Sequence, residues 1–272
     1  LYELLIRLFK NDSTLREWNL RIWGNSIANG GVKYLAKAIE NNTTLTELSL
    51  CCNGIRTSVA DFAIALQNNS TLTKLDLGRN YIKYAGARCL ACALLNNKTL
   101  TELKLDDNEG EIDDEDFRET CGWIIGDDGA KVLGKALETN STLTNLYLHT
   151  NKIGDEGAEA LADALLTNKT LKKLILSDNK IGDTGAKALG SALAENKTLY
   201  DLCLNKNKIG DEGARALGKG LLTNSTLTEF SLWRNNIEEE LSNQLERTPK
   251  ILERKRLEAL FISKFKTIPK FD

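Results

Sequence analysis

The side chains that could do chemistry in this 272-residue chain are few and dispersed. His149 is the one histidine, so it stands alone as a general base or a metal ligand. The six cysteines are Cys51, Cys52, Cys89, Cys92, Cys121 and Cys203. Cys89 and Cys92 form a CxxC, but Ala87, Leu90, Ala91, Ala93 and Leu94 around them read as helix, and Cys51 and Cys52 are adjacent. Zinc needs further Cys or His ligands close by, and His149 is far along the chain from both pairs. The cysteine spacings form no framework, so reduced thiols in a cytosolic compartment are expected. Asp113, Asp114, Glu115 and Asp116 crowd together but lack the alternating ligands and central glycine of a calcium loop. Neither a nucleophile–base constellation nor a glycine-rich phosphate loop appears. A recurring acidic series, as in Ile153-Gly154-Asp155-Glu156-Gly157, has the look of a carboxylate array. Its recurrence points instead to helix starts. No enzyme activity, cofactor or metal is expected.

Composition narrows the partners. With 36 basic and 38 acidic residues the formal charge is −2. That leaves no global electrostatic footprint for nucleic acid or an acidic membrane. No apolar run approaches the roughly 20 residues that span a bilayer. The chain begins at Leu1 and contains no methionine, so a fragment or a processed start is expected.

The positioning elements come from a repeat. Leu15, Leu45, Leu72, Leu100, Leu143, Leu171, Leu199 and Leu227 each follow a threonine and open the pattern Leu-x-x-apolar-x-Leu. A fixed period of this size marks a solenoid, whose long open surface suits macromolecular partners. The stretch from Leu143 to Thr170 is the clearest unit. Alternation at Leu146, Tyr147 and Leu148 predicts a short strand with leucines inward. Asn151, with its counterparts Asn25, Asn53, Asn80, Asn108, Asn179, Asn207 and Asn235, predicts a stacked ladder satisfying backbone groups between coils. Asp155 is placed to cap the helix that follows it. Ala158, Leu161, Ala164 and Leu165 have helical spacing. Asn168, like Asn42, Asn69, Asn97, Asn140, Asn196 and Asn224, predicts a left-handed helix end. The same asparagines create Asn-x-Ser/Thr triplets such as Asn140-Ser141-Thr142, which are read as helix-end chemistry and not as glycosylation sites.

The pattern LxxLxLxxNxIGDxGAxxLxxALxxNxT resembles the ribonuclease-inhibitor class of leucine-rich repeats over almost the whole chain. That class includes ribonuclease inhibitor, the sensor regions of NLR immune receptors, the GTPase-activating protein for Ran and effectors of intracellular bacteria. The resemblance implies an α/β leucine-rich-repeat solenoid, a horseshoe with parallel strands on the concave face and helices on the convex face. It also implies a binding role. The cysteine-rich pattern of ribonuclease inhibitor itself is missing, and an NLR origin would require a truncated chain.

The expected organisation is a leucine-rich-repeat domain over residues 1–248 with eight strand units, then a basic amphipathic capping segment over 249–272. The first unit is two residues longer than the 28-residue period, through Arg21-Ile22-Trp23-Gly24-Asn25, and the second is one residue shorter. A 15-residue insertion at 110–124 departs from a strand-to-helix turn, and the stretch from Glu109 to Trp123 is strongly acidic. Pro249 is expected to interrupt the last unit, after which Leu257, Leu260, Phe261 and Phe265 return to helical spacing among basic residues. The segment is read as a cap, and membrane contact through it is not expected.

Outward strand positions alternate with the leucines and give the candidate binding residues. The N-terminal half is charged with mixed sign, including Lys74, Asp76, Glu102 and Lys104. The C-terminal half offers Tyr147, His149, Ile175, Asp201, Cys203, Glu229 and Trp233, with Arg234 beside it. Tyr and Trp are common interface anchors. The functional expectation is a monomeric, cytoplasmic, non-enzymatic scaffold that engages a globular protein partner through its concave face and rim. It would act as an inhibitor or as a bacterial effector in a host cytosol. The alternatives are an NLR-type sensor fragment and a contact-based GTPase activator.

Overall fold

The computed structural model describes residues 2–20, 29–108 and 124–251. The acidic insertion, the first-unit stretch 21–28 with Asn25, and the basic segment from 252 onward lie outside the described residues. Eight strands form one parallel sheet in sequence order: β1 (Glu17–Asn19), β2 (Glu47–Ser49), β3 (Lys74–Asp76), β4 (Glu102–Lys104), β5 (Asn145–Tyr147), β6 (Lys173–Ile175), β7 (Asp201–Cys203) and β8 (Glu229–Ser231). Helices fill the returns: α1 (Tyr2–Phe9), α2 (Asn29–Glu40), α3 (Val59–Asn68), α4 (Tyr84–Asn96), α5 (Gly126–Leu137), α6 (Asp155–Thr167), α7 (Asp183–Glu195) and α8 (Asp211–Thr223). The chain is an α/β leucine-rich-repeat solenoid. Strands stack about 4.8 Å apart, whereas packed helices need about 8–10 Å. The stack therefore bends with its strands inside. Glycine moderates the mismatch: a Cβ on Gly190 of α7 would stand 2.6 Å from the Ala216 carbonyl of α8.

The core is one column of leucine and isoleucine. Leu143, Leu146, Leu148, Ile153, Leu161 and Leu165 of the clearest unit are all buried, and so are their equivalents in neighbouring units. Polar groups inside this column come in ladders. The Oδ1 of Asn179 accepts from the backbone N–H of Asn151 and of Ile153, both at 3.0 Å, while its Nδ2 donates to the carbonyls of Leu148 and Leu176. The Nδ2 groups of Asn53, Asn80, Asn108, Asn207 and Asn235 donate to carbonyls of the preceding unit in the same way. Thr73, Thr101 and Thr144 add a third line: each hydroxyl donates to a carbonyl of the preceding unit.

Two local expectations change. The helix-end asparagines are extended, with Asn168 at φ −67 and ψ 131. Its Oδ1 accepts from the N–H of Thr170 and Leu171, and its Nδ2 donates to the Leu137 carbonyl one unit earlier. The side chain itself turns the chain, so no left-handed residue is needed. Left-handed residues stand instead just before the first ladder, at Cys52, Arg79, Asp107, Thr150, Asp178, Lys206 and Arg234. Asp155 does not cap its own helix, whose N-cap is Gly154 without a side-chain bond. Its Oδ1 accepts from Gly182 N–H at 2.7 Å and Gly185 N–H at 2.9 Å, at the start of α7 in the following unit. Asp127 and Asp183 serve α6 and α8 in the same way. Position N1 aims the carboxylate sideways along the stack, where the next helix presents its unpaired N–H groups.

At the C-terminal edge residues 239–251 are helical, so the boundary expected between 248 and 249 falls within a helix. Pro249 does not break the chain there. It is buried within the helix, and the hydroxyl of Thr248 before it donates to the Gln244 carbonyl. Glu246 accepts from the Leu232 N–H at 2.6 Å, which occupies a donor at the exposed sheet edge.

Candidate protein-binding face

Every strand buries its middle residue and turns its two others outward. The register sorts these into rows. The first row runs Glu17, Glu47, Lys74, Glu102, Asn145, Lys173, Asp201, Glu229. The second runs Asn19, Ser49, Asp76, Lys104, Tyr147, Ile175, Cys203, Ser231. A third row lies past the strand ends and includes Cys51, Gly78, Asp106, His149, Ser177, Asn205 and Trp233; backbone bonds such as Thr150 N–H to Ser177 O and Lys206 N–H to Trp233 O carry its register.

Over β1–β4 the rows line a recess of about 480 Å³ that includes Lys74, Asp76, Glu102 and Lys104. Most of its charged groups already have partners within the recess. Lys74 Nζ stands 2.6 Å from Glu47, Lys104 Nζ 3.3 Å from Glu102, and Ser49 donates to Asp76 at 3.1 Å. A partner landing here must displace or desolvate made pairs.

Over β5–β8 the second row turns apolar: Tyr147, Ile175 and Cys203 are register neighbours, all half-buried. The Tyr147 ring lies between two ammonium groups, Lys104 at 5.2 Å and Lys173 at 5.7 Å from its centroid. Lys173 also pairs with Asp201 at 2.7 Å, and that bond raises its pKa. Glu229 meets Lys250 at 3.5 Å. Trp233 is not part of the Tyr147 strip, because the second row ends at Ser231. It stands in the third row, 44% exposed, with the Arg234 guanidinium 5.0 Å from its ring.

His149 has a partner. Its Nδ1 is 2.7 Å from Asp106 Oδ1, on the adjacent unit in the third row. That hydrogen bond, opposed by partial burial, raises the histidine pKa above its ordinary value. Sequence reasoning missed the pair because 43 residues separate the two, through the insertion. Equal offsets from Leu103 and Leu146 to Asp106 and His149 were the available signal. No group of three or more His, Cys, Asp or Glu able to hold a metal exists among the described residues. None of the described helices is long and apolar enough to cross a membrane.

Comparisons with known proteins divide along the chain. Residues 1–124 match a family model described as the TMOD/LMOD leucine-rich domain. Residues 139–162, 167–190 and 195–218 match the leucine-rich-repeat model. No curated protein matches the chain. Among solved structures, one similar chain is titled Leiomodin-1 Actin-Binding Site 2, at 23% identity and a TM-score of 0.41, covering 50% of this chain and 79% of that one. Another is a tropomodulin C-terminal domain from Caenorhabditis elegans, at 17% identity and a TM-score of 0.47, covering 60% and 89%. On its repeats and on these family matches, the chain is a leucine-rich-repeat protein.

Proposed function

We propose that the chain is a protein-binding scaffold that grips one globular partner on its concave face and rim, with its anchor over β5–β8. The observation that carries the reading is the apolar break in a charged surface: Tyr147, Ile175 and Cys203 follow one another on adjacent strands, and Trp233 stands exposed nearby. Large aromatics bury area at low entropy cost, and charged neighbours such as Lys173, Asp201, Glu229 and Arg234 then set orientation. Over β1–β4 the outward strand positions, including Lys74, Asp76, Glu102 and Lys104, carry no aromatic or large apolar side chain, which makes that half the weaker site. The N-terminal match to a TMOD/LMOD domain model supports a protein-binding role. In its finer form the scaffold is cytosolic and covers its partner's active surface, as an inhibitor or as a bacterial effector in a host cytosol.

The test begins with capture from cytosol and mass spectrometry, followed by calorimetry on the purified pair. The double change Tyr147→Ala with Trp233→Ala should weaken binding about tenfold to a hundredfold, with thermal stability nearly unchanged. Unchanged affinity would sink the β5–β8 anchor and move the site to the recess over β1–β4.

A further inference from the structure

We propose that Cys51 and Cys52 form a redox modification site: a vicinal dithiol that a hydroperoxide converts to an intrachain disulfide. The two sulfurs stand 3.2 Å apart in the turn after β2, and both residues are partly exposed. The turn is pinned. The Cys52 N–H donates to the Gly78 carbonyl at 3.0 Å, Cys52 is held at φ 65, and Asn53 Nδ2 donates to the Cys51 carbonyl at 3.1 Å. The fold does not ask for sulfur here. The same two turn positions hold Gly78-Arg79, Asp106-Asp107, His149-Thr150, Ser177-Asp178, Asn205-Lys206 and Trp233-Arg234 in the other units, with the second residue left-handed in each. Only this turn sets two thiols side by side.

The chemistry is the pairing of an attacked thiol with a resolving one. One thiolate attacks the outer oxygen of the hydroperoxide, the O–O bond breaks, and the alcohol leaves after taking a proton; the sulfur becomes a sulfenic acid. The neighbouring thiol attacks that sulfur and expels hydroxide, which leaves as water with the second proton. The two sulfurs supply the two electrons that reduce the peroxide. Contact between the sulfurs makes the second step intramolecular, so it outruns further oxidation to sulfinic acid. This inference stands apart from the partner-binding reading.

The test is a titration of the intact 272-residue chain, reduced and freed of reductant, with hydrogen peroxide, followed by iodoacetamide, digestion and mass spectrometry. The peptide holding Cys51 and Cys52 should appear two hydrogens lighter and unalkylated at a dose about tenfold below that which oxidises Cys203. Dithiothreitol should restore its double alkylation. Cys52→Ser and Cys51→Ser, each checked for folding by circular dichroism, should lose the light form and accumulate sulfinic acid at the remaining cysteine. Full alkylation of both cysteines at doses that oxidise Cys203 would overturn the proposal, and so would a peptide joined to another peptide or a second chain.

Discussion

Replacing Asn179 by alanine separates a ladder that holds the stack together from one that merely decorates it. The residue is 8% exposed, and its side chain bonds both to the preceding unit and to its own turn. Its Oδ1 takes the N–H groups of Asn151 and Ile153, each at 3.0 Å, and no other acceptor serves either of them among the described residues. Its Nδ2 reaches the carbonyls of Leu148, Leu176 and Ser177. Two of those carbonyls keep another donor: Leu176 has Asn207 Nδ2, and Ser177 has the Thr150 N–H. Removal therefore strands two buried N–H groups and one carbonyl. At roughly 1–2 kcal/mol for each orphaned group, the loss is about 3–6 kcal/mol. The terminal rung offers an internal control. Asn235 makes the same bonds but is half-exposed at the end of the stack, where water can replace it. Asn235→Ala should cost only about 1 kcal/mol. Urea unfolding followed by circular dichroism, read as the midpoint at unchanged slope, checks both. Equal losses in the two variants, or an Asn179→Ala midpoint at the wild-type value, would refute the accounting.

Gly185→Ala should destabilise by about 1–3 kcal/mol, although alanine in a helix ordinarily gains on glycine. A Cβ there would stand 2.8 Å from Ala158 Cβ and 2.9 Å from the capping Asp155 Oδ1, and thermal melting reads the sign. Thr150→Asn should stabilise by about 0.5–1 kcal/mol, because a β-branched residue sits at φ 55 where asparagine is at ease; a lower melting temperature would contradict it. His149 should titrate above about 6.5 by NMR, and Asp106→Asn should bring it back down. Since the folded-state value is raised, the pair's stabilisation is complete below about 6.5 and is lost as pH rises through the folded value. A His149 titration that ignores Asp106→Asn would rule the pair out.

What was legible in the chain is what repeats inside one unit. Leu143, Leu146 and Leu148 announce an inward face, and the structure buries all three. Asn151 and its counterparts announce a ladder because an amide at a fixed place in every turn has both a donor and an acceptor to spend. The partners were harder to read when they crossed units. Asp155 looks like a cap for the helix it begins, yet its acceptor atom is 27 and 30 residues from its donors. Asn168 looks like a left-handed helix end, yet it satisfies its own turn with its side chain and leaves φ in the ordinary range. His149 looked solitary because Asp106 is adjacent only once the units are stacked. Pro249 looked like a stop because its missing N–H is visible in sequence, while its buried place within the last helix is not. The candidate anchor was legible as outward positions, but only the register separates Trp233 from the row of Tyr147.

The same stacking divides the chain's side chains by what they are free to do. Leucines, both asparagine ladders, the threonine line and the capping aspartates are consumed by contacts between units, and the backbone of each turn is repeated with them. The third row shows what remains. Cys51, Gly78, Asp106, His149, Ser177, Asn205 and Trp233 occupy equivalent places beside left-handed neighbours, yet share no size, charge or polarity. A position whose backbone is fixed and whose side chain varies from unit to unit is not being chosen by the fold. Selection for a solenoid alone would leave such positions uniformly soluble. Here they place a tryptophan in solvent, an Asp–His pair on the inner face and two thiols in contact. Those departures stand at fixed spacing on one surface, because each is carried by the same turn of a stacked unit.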